Sequence, residues 1–594
     1  MKNARLATLG ATALLALAAC SQSDDVTAVP ATETSNTLFA YVPAGTPYLL
    51  GNLEPPADEV IDTYLRRLQP VLDTMQEELS QARLEIESKN SESSPSDPEQ
   101  QHDDMAVKLM HAVLVELDGK LNRPGLESLG FDLQSHKVVY GMGAFPVVRL
   151  GLLDSAVLRG TVQRILDSAG ASAPEKTYQS VSYWRLGEED DGQDTVSLYV
   201  SILEDHLALG IFPPMAEAEF LPAFLGLELP KESNAAARLA ELNAKHGYTP
   251  FGSGILDMEK LVNEFITPDT VLAKSMAASG EFDPATMTPE CTSEIRGIVS
   301  NTPQVTMGVT ELSNDAVGMQ YRIETKPGLA QQLIGLVSEI PAVNPLSDQM
   351  FELSFGMRFG AVRDFLREKA AAIMENPFKC EHLADINQSA TESFTQLNQP
   401  MPPFVNNFKG ARLSLSEVTM TQSIPENARG HIAVHVEQPQ MFVGMAQMFL
   451  PDLSNLTLVP GEPPVQLPAS MIPMPGIVAF AALTDDTIGM SIGDGEEAGL
   501  PDFLNQESGP AGTFMSTNYD MAAYLEYSQG FGDQFKNMED ENGEPVQEQS
   551  AHYRSAHHIS ESVQNAFKAF ADRNQATLSF TPEGFVTDTR MTFK

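Results

Sequence analysis

The spacing of apolar and polar residues changes period several times along this chain, and one pattern occurs twice. Val200 to Leu225, VSILEDHLALGIFPPMAEAEFLPAFL, reads as a strand, an acidic turn, a second strand and a short helix carrying Leu-Pro-x-Phe-Leu. Phe480 to Leu504, FAALTDDTIGMSIGDGEEAGLPDFL, repeats that order. Asp205 aligns with Asp485 at an offset of 280 and Pro222 with Pro501 at 279, so the two anchors differ by one residue. Asp257-Met258 then matches Asp520-Met521, and Ser313 to Lys326 matches Thr581 to Lys594, in the same order. Internal similarity of this kind governs the fold reading. It predicts two similar halves in tandem.

Between these anchors the period predicts the remaining elements. Leu38 to Leu53 reads as two short strands around Pro-Ala-Gly-Thr-Pro, a turn composition. From Asp58, Val60, Ile61, Tyr64, Leu65, Leu68, Leu72, Met75 and Leu79 recur every three or four residues, an amphipathic helix. Ser88 to Asp104 has no apolar residue and two prolines and is expected to be a flexible insert before a helix over Met105 to Leu121. Strands are predicted at Lys137 to Gly141 and Phe145 to Leu152, and Asp154 has the position and chemistry of a helix N-cap. In the second half the same template places a strand at Phe351 to Met357, helices at Ala361 to Met374 and Leu383 to Leu397, strands at Arg412 to Val418 and His431 to Val436, and a helix at Pro439 to Phe449.

Strand pairs with short turns, each followed by a helix, define an α+β fold of two similar tandem domains, each a mainly antiparallel sheet covered by helices. The expected division is a signal at 1–19, a tether at 20–37, a first half at 38–327 with its insert at 88–104, a connector at 328–348 and a second half at 349–594. Each half is long enough to bury its own core.

The amino terminus adds a location. Lys2 and Arg5 precede the apolar run Leu6 to Leu17, which is too short to span a membrane stably and ends in Leu17-Ala18-Ala19-Cys20. This resembles the lipobox of bacterial lipoproteins. The resemblance implies cleavage before Cys20, acylation of its thiol and new amino terminus, and, with Ser21 following, sorting to the outer membrane, facing the periplasm. Several acyl chains supply the stable anchoring that one chain does not.

The chain has 37 Lys and Arg against 80 Asp and Glu, a net charge of -43, which becomes -45 once Lys2 and Arg5 leave with the signal. A chain so acidic repels phosphate, so nucleic acid is excluded as a partner. The three cysteines are Cys20, Cys291 and Cys380. In an oxidising compartment Cys291 and Cys380 are expected to pair as a disulfide.

The candidate chemistry is sparse. Gly489-Met490-Ser491-Ile492-Gly493 fits the nucleophile-elbow spacing, but Ser491 falls inside the second strand of the repeated hairpin rather than on a strand-to-helix turn. His552, His557 and His558 offer imidazoles without a carboxylate partner and read better as a solvated helix start. Asp190 to Asp194 and Asp540 to Glu544 crowd oxygens around a glycine but lack the full calcium-loop spacing, so solvated turns are expected. Met441, Met445 and Met448 share one helical face, a spacing typical of core, and Tyr183-Trp184 reads as strand packing. No phosphate-cradling loop or dinucleotide fingerprint occurs. The reading is therefore a lipid-anchored envelope protein with a non-enzymatic binding or scaffolding role. It has no assigned catalytic, cofactor or metal residues; its partners are the membrane through Cys20 and an envelope protein or small ligand. The alternatives are an envelope hydrolase, serine or metal dependent, and a lipid carrier, which needs an apolar cavity between sheet and helices.

Overall fold

A computed structural model describes residues 37–594 except 93–97, 121, 171–173, 187–195, 281–282, 284–285, 422–423, 455, 473–475 and 527–562. Cys20 and the lipobox, both acidic Gly-containing loops, and His552, His557 and His558 lie outside the described residues. The fold is mixed helix and antiparallel sheet, 41% helical and 30% strand, which is α+β. Two compact units are formed. The described residues of one fall within Met1–Thr288, Pro303–Met319 and Ser550–Phe570; those of the other fall within Pro289–Thr302, Gln320–Gln549 and Ala571–Lys594.

The first unit carries β1 Tyr48–Gly51, β2 Lys137–Met142, β3 Phe145–Gly151, β4 Lys176–Tyr178, β5 Val181–Leu186, β6 Ser197–Ile202, β7 His206–Phe212, β8 Ser253–Asp257 and β9 Gln304–Leu312, with β10 Ala316–Glu324 beginning in it. The strands run in the order β9-β8-β1-β2-β3-β7-β6-β5, every neighbour antiparallel. Leu49, Val138, Tyr140, Tyr199, Phe212 and Phe224 form the core on one face, with the Tyr199 and Phe212 rings stacked at 3.8 Å. On the other face Leu158 and Leu166 of the Ser155–Ala169 helix pack with Trp184, Val200, Ile202 and Leu207. Tyr183 and Trp184, adjacent on β5, point to opposite faces, and both are buried, one in each core.

Local chemistry sets the helix boundaries. Asp154 accepts from the amides of Ala156 and Val157, and Gly170 closes the same helix in the left-handed conformation. Asp257 ends β8 and accepts from the Lys260 amide at 2.9 Å; Asp520, the matched residue, accepts from the Ala523 amide at 2.8 Å. Two expectations are corrected. Thr37–Tyr41 is a 3-10 turn rather than a strand: Leu38, Phe39 and Val42 are all buried, and an apolar run that short has no period to distinguish the two. The first long helix covers Asp58–Glu92 and the next Pro98–Leu117, so both enter the polar stretch read as an insert. Glu, Gln and Lys propagate a helix well once begun, and Pro98 suits its first position.

The second unit carries β11 Phe351–Gly356, β12 Phe408–Thr421, β13 Ile424–Val436, β14 Val465–Gln466, β15 Ala479–Leu483, β16 Thr487–Ile492, β17 Thr513–Asp520, β18 Ala571–Thr581 and β19 Gly584–Phe593. Their order is β19-β18-β17-β11-β12-β13-β16-β15-β14, again wholly antiparallel. Here the buried face is polar. Ser354, Arg412, Ser414, His435, Thr487, Ser491, Ser516 and Asn518 are buried, while Leu353, Leu413, Ile432, Val434, Ile488 and Met490 on the opposite face are only half-buried. The segment after Ile340 accounts for part of that polarity. Ser354 Oγ donates to the Pro341 carbonyl at 2.6 Å, Ser516 Oγ accepts from the Val343 amide at 2.9 Å, and Asn518 donates to the Asn344 and Ser347 carbonyls. A loop lying on a sheet needs such partners, because a buried peptide group left unpaired is costly.

Cys291 and Cys380 are disulfide-bonded, with Cα atoms 4.4 Å apart and a sequence separation of 89. Both belong to the second unit. Glu294 reinforces the closure by accepting from the amides of Lys379 and Cys380. A loop of that length, left open in the unfolded chain, carries about 4.6 kcal/mol of closure entropy. Replacing both cysteines by serine is expected to lower the stability of the second unit by about that amount, read as a shift of its urea transition with the first unit's transition unchanged.

Candidate functional site

The polar groups with the strongest claim to chemistry are two buried arginine and histidine clusters, one in each unit, neither of which the sequence singles out. Arg149, on β3, is fully buried. Its Nε donates to Tyr140 Oη at 3.1 Å, Nη1 to His206 Nε2 at 2.6 Å, and Nη2 to the carbonyl of Phe224 at 2.9 Å and of Ala223 at 3.3 Å. The Tyr41 ring lies over the guanidinium, 4.1 Å from Cζ to centroid. Because Arg149 occupies Nε2 as a donor, His206 must carry its proton on Nδ1, which donates to Asp205 Oδ1 at 2.6 Å. The exposed Asp205 carboxylate thus reaches the buried cation through a neutral imidazole. Burial, and then the Arg149 charge, push the His206 pKa down.

In the second unit Arg412, on β12, donates through Nη1 to the carbonyl of Phe503 at 2.9 Å and through Nη2 to Gln506 Oε1, and lies over the Phe503 ring at 4.1 Å. Burial lowers its pKa to about 10, so it stays charged near neutrality. His435 Nδ1 pairs with Thr487 Oγ1 at 3.0 Å, and the same hydroxyl donates to Asp486 Oδ1 at 3.0 Å. Burial, reinforced by Arg412, lowers the His435 pKa to about 4. The helix each arginine meets packs tightly on the sheet: a Cβ on Gly210 would come within 2.9 Å of Phe224, and one on Gly489 within 2.5 Å of Leu504.

These groups hold structure; they are not arranged for turnover. Both ring nitrogens of His206 are engaged in a fully buried site, so no proton can be exchanged with a substrate there. Ser491 is fully buried and its Oγ has no hydrogen-bond partner among the described residues. Its cross-strand neighbour is His431, but His431 Nε2 is bonded to the Glu496 carbonyl at 2.8 Å and the ring stacks on Phe503. Among the described residues the serine therefore has neither a base nor access. Glu352 accepts from Ser414 Oγ at 3.1 Å while its other oxygen is buried without a partner among the described residues. No group of three or more metal-ligating side chains occurs among the described residues, nor does any helix there long and apolar enough to cross a membrane. A surface groove of about 440 Å³ lies in the second unit, lined by Pro460 to Pro464, Leu483, Thr484, Asp485, Pro501 and Leu504. It contains one turn of the repeated hairpin and the start of the repeated helix.

The methionine face is also corrected. In the Pro439–Phe449 helix only Pro439 is buried; Met441 and Met445 are half-buried and Met448 is 76% exposed. Helical spacing showed that these residues share a face, but not that anything covers it. No protein-family model, curated protein or solved structure matches this chain.

The histidines give a pH dependence of known sign. A histidine whose folded pKa lies below its unfolded value of about 6.5 keeps the folded state favoured above that value. Stability is lost as the pH falls from about 6.5 to about 4, where the unfolded chain binds the proton and the fold does not. His435 alone accounts for about 3 kcal/mol over that window at most. The unfolding free energy is expected to decline across it, and to do so less steeply in His435→Gln; a variant with an unchanged slope removes His435 as the cause.

Proposed function

We propose that this chain is a lipid-anchored envelope protein, held through Cys20 at the periplasmic face of the outer membrane, with a non-enzymatic binding or scaffolding role. The observation that carries the reading is Leu17-Ala18-Ala19-Cys20, behind a basic start and a short apolar run. The engagement of Arg149, His206 and Arg412 in internal bonds supports it, since groups committed to the fold are not available for turnover.

The binding body is two tandem copies of one α+β domain. Strand order supports this: β9-β8-β1-β2-β3-β7-β6-β5 in the first unit runs as β18-β17-β11-β12-β13-β16-β15-β14 does in the second. The arginines support it in more detail. Arg149 on β3 faces Val138 on β2, whereas Arg412 on β12 faces Ala433 on β13. The arginine has changed strand within an equivalent cross-strand pair, yet each donates to the carbonyl of the phenylalanine in Leu-Pro-x-Phe-Leu. The histidines are exchanged likewise, His206 on β7 facing Gly151 and His435 on β13 facing Thr487. Retention of the bond through different strands is what a duplicated packing requirement produces.

Two measurements test the reading. Cys20→Ser is expected to move the protein from the membrane to the soluble fraction, with the amino-terminal peptide losing the mass of its acyl groups; an unmodified Cys20 in the parent would end the anchor proposal. Arg149→Val is expected to cost the first unit about 3 kcal/mol, and Arg149→Val combined with Val138→Arg to recover more than half of it. No recovery in the folded double variant would count against equivalence of the two units.

A further inference from the structure

The second unit presents an apolar surface unlike the rest of this acidic chain. From Gln438 to Thr484 the sequence carries two charged residues, Asp452 and Glu462, and no Lys or Arg, in a chain that is 20% charged. The Pro439–Phe449 helix within it has no charge, and its end is bare: Met448 is 76% exposed, Phe449 78% and Leu450 47%. This is a built projection. The Leu450 amide bonds to the Ala446 carbonyl at 2.8 Å, Gln447 Nε2 to the Leu456 carbonyl at 2.7 Å, and Ser470 Oγ to Asp452 at 2.7 Å, so the following chain is folded back on the helix. In the first unit the helix at the corresponding place in the chain, Ser155–Ala169, buries Leu158 and Leu166 and carries Arg159, Arg164 and Asp167.

We propose that Met448, Phe449 and Leu450 insert into the interfacial region of a lipid bilayer, giving the anchored protein a second, non-covalent membrane contact. This rests on the anchor reading, because Cys20 brings the chain to a bilayer. The charge distribution selects the bilayer as occupant. An anchored body with a net charge of -45, after loss of Lys2 and Arg5, is repelled by phosphate headgroups, so contact requires a surface stripped of carboxylates that offers aromatic and aliphatic side chains at its tip. Apolar side chains exposed at such a tip can enter the boundary between headgroups and acyl chains, where binding grows with buried apolar area. Acyl chains alone would hold the protein at the membrane without orienting it; a second contact sets which face is turned to the lipid.

The test uses the single tryptophan, Trp184, which is buried in the first unit. In Phe449→Trp, acylated at Cys20 and reconstituted into phosphatidylcholine vesicles, the added emission is expected to shift to the blue and to be quenched by lipids brominated on the acyl chains, with Trp184 in the parent unaffected. The chain carrying Cys20→Ser is expected to bind the same vesicles weakly, and Met448→Asp with Phe449→Asp to reduce that binding by about tenfold or more. If the Phe449→Trp protein floats with the vesicles while its new emission stays accessible to aqueous quencher, the docking proposal is overturned and the anchor stands. If the acylation-competent chain does not float, the anchor reading fails instead. A blue shift that rises with protein concentration in the absence of lipid assigns the surface to a second copy and also overturns the proposal. Met448→Trp repeats the measurement should Phe449→Trp lose the parent's circular dichroism spectrum.

Discussion

Each unit depends on one interaction, a buried guanidinium meeting the carbonyl end of a short helix. The short helices Glu217–Phe224 and Leu500–Leu504 leave half or more of their carbonyls without intrahelical partners. When that end is pressed against a sheet, water cannot supply them. Arg149 and Arg412 do so from the sheet itself, and the cation also matches the negative end of the helix. Because the guanidinium has five donors, Arg149 joins further elements at one point: Tyr140 of β2, His206 of β7 and the helix end, beneath the Tyr41 ring. That convergence explains why such an expensive group is kept inside a unit that otherwise has an apolar core.

The two units solve the same packing problem with different interiors. In the first, Leu49, Tyr140 and Phe212 surround the arginine, and the histidine beside it relays the charge of Asp205. In the second, serines, Asn518 and Glu352 occupy the buried face, and the main chain after Ile340 is held there by Ser354, Ser516 and Asn518. Polar groups satisfied in this way specify register more sharply than apolar contacts, since a shift by one residue would strand them. The cost is a smaller apolar core, among the described residues one cluster of Ala433, Ala482, Leu500, Phe503 and Leu504. A disulfide closing the helical part of the same unit compensates in the unfolded chain what the core lacks in the folded one.

Several features were set by residues close together in sequence. The repeated strand, turn, strand and helix formed as the alternation and the Leu-Pro-x-Phe-Leu motif indicated, Asp154 and Asp257 cap the helices that follow them, and the Pro439–Phe449 helix has the boundaries its spacing indicated. Caps, turns and periods act over a few residues, so a single chain carries them in full.

What only the tertiary structure decided is which of two faces is covered. Alternation on β12 shows that Arg412 and Ser414 lie opposite Leu413, yet the polar side is the buried one, because the Phe503 carbonyl and Glu352 meet it there. The spacing of Met441, Met445 and Met448 likewise left open that the face would end at solvent. Arg149 gave no signal in an apolar strand, since its partners Tyr140, His206 and Phe224 are spread over three elements. Period is a local property of the backbone. Burial depends on distant carbonyls and side chains, whose positions exist only once the chain has folded.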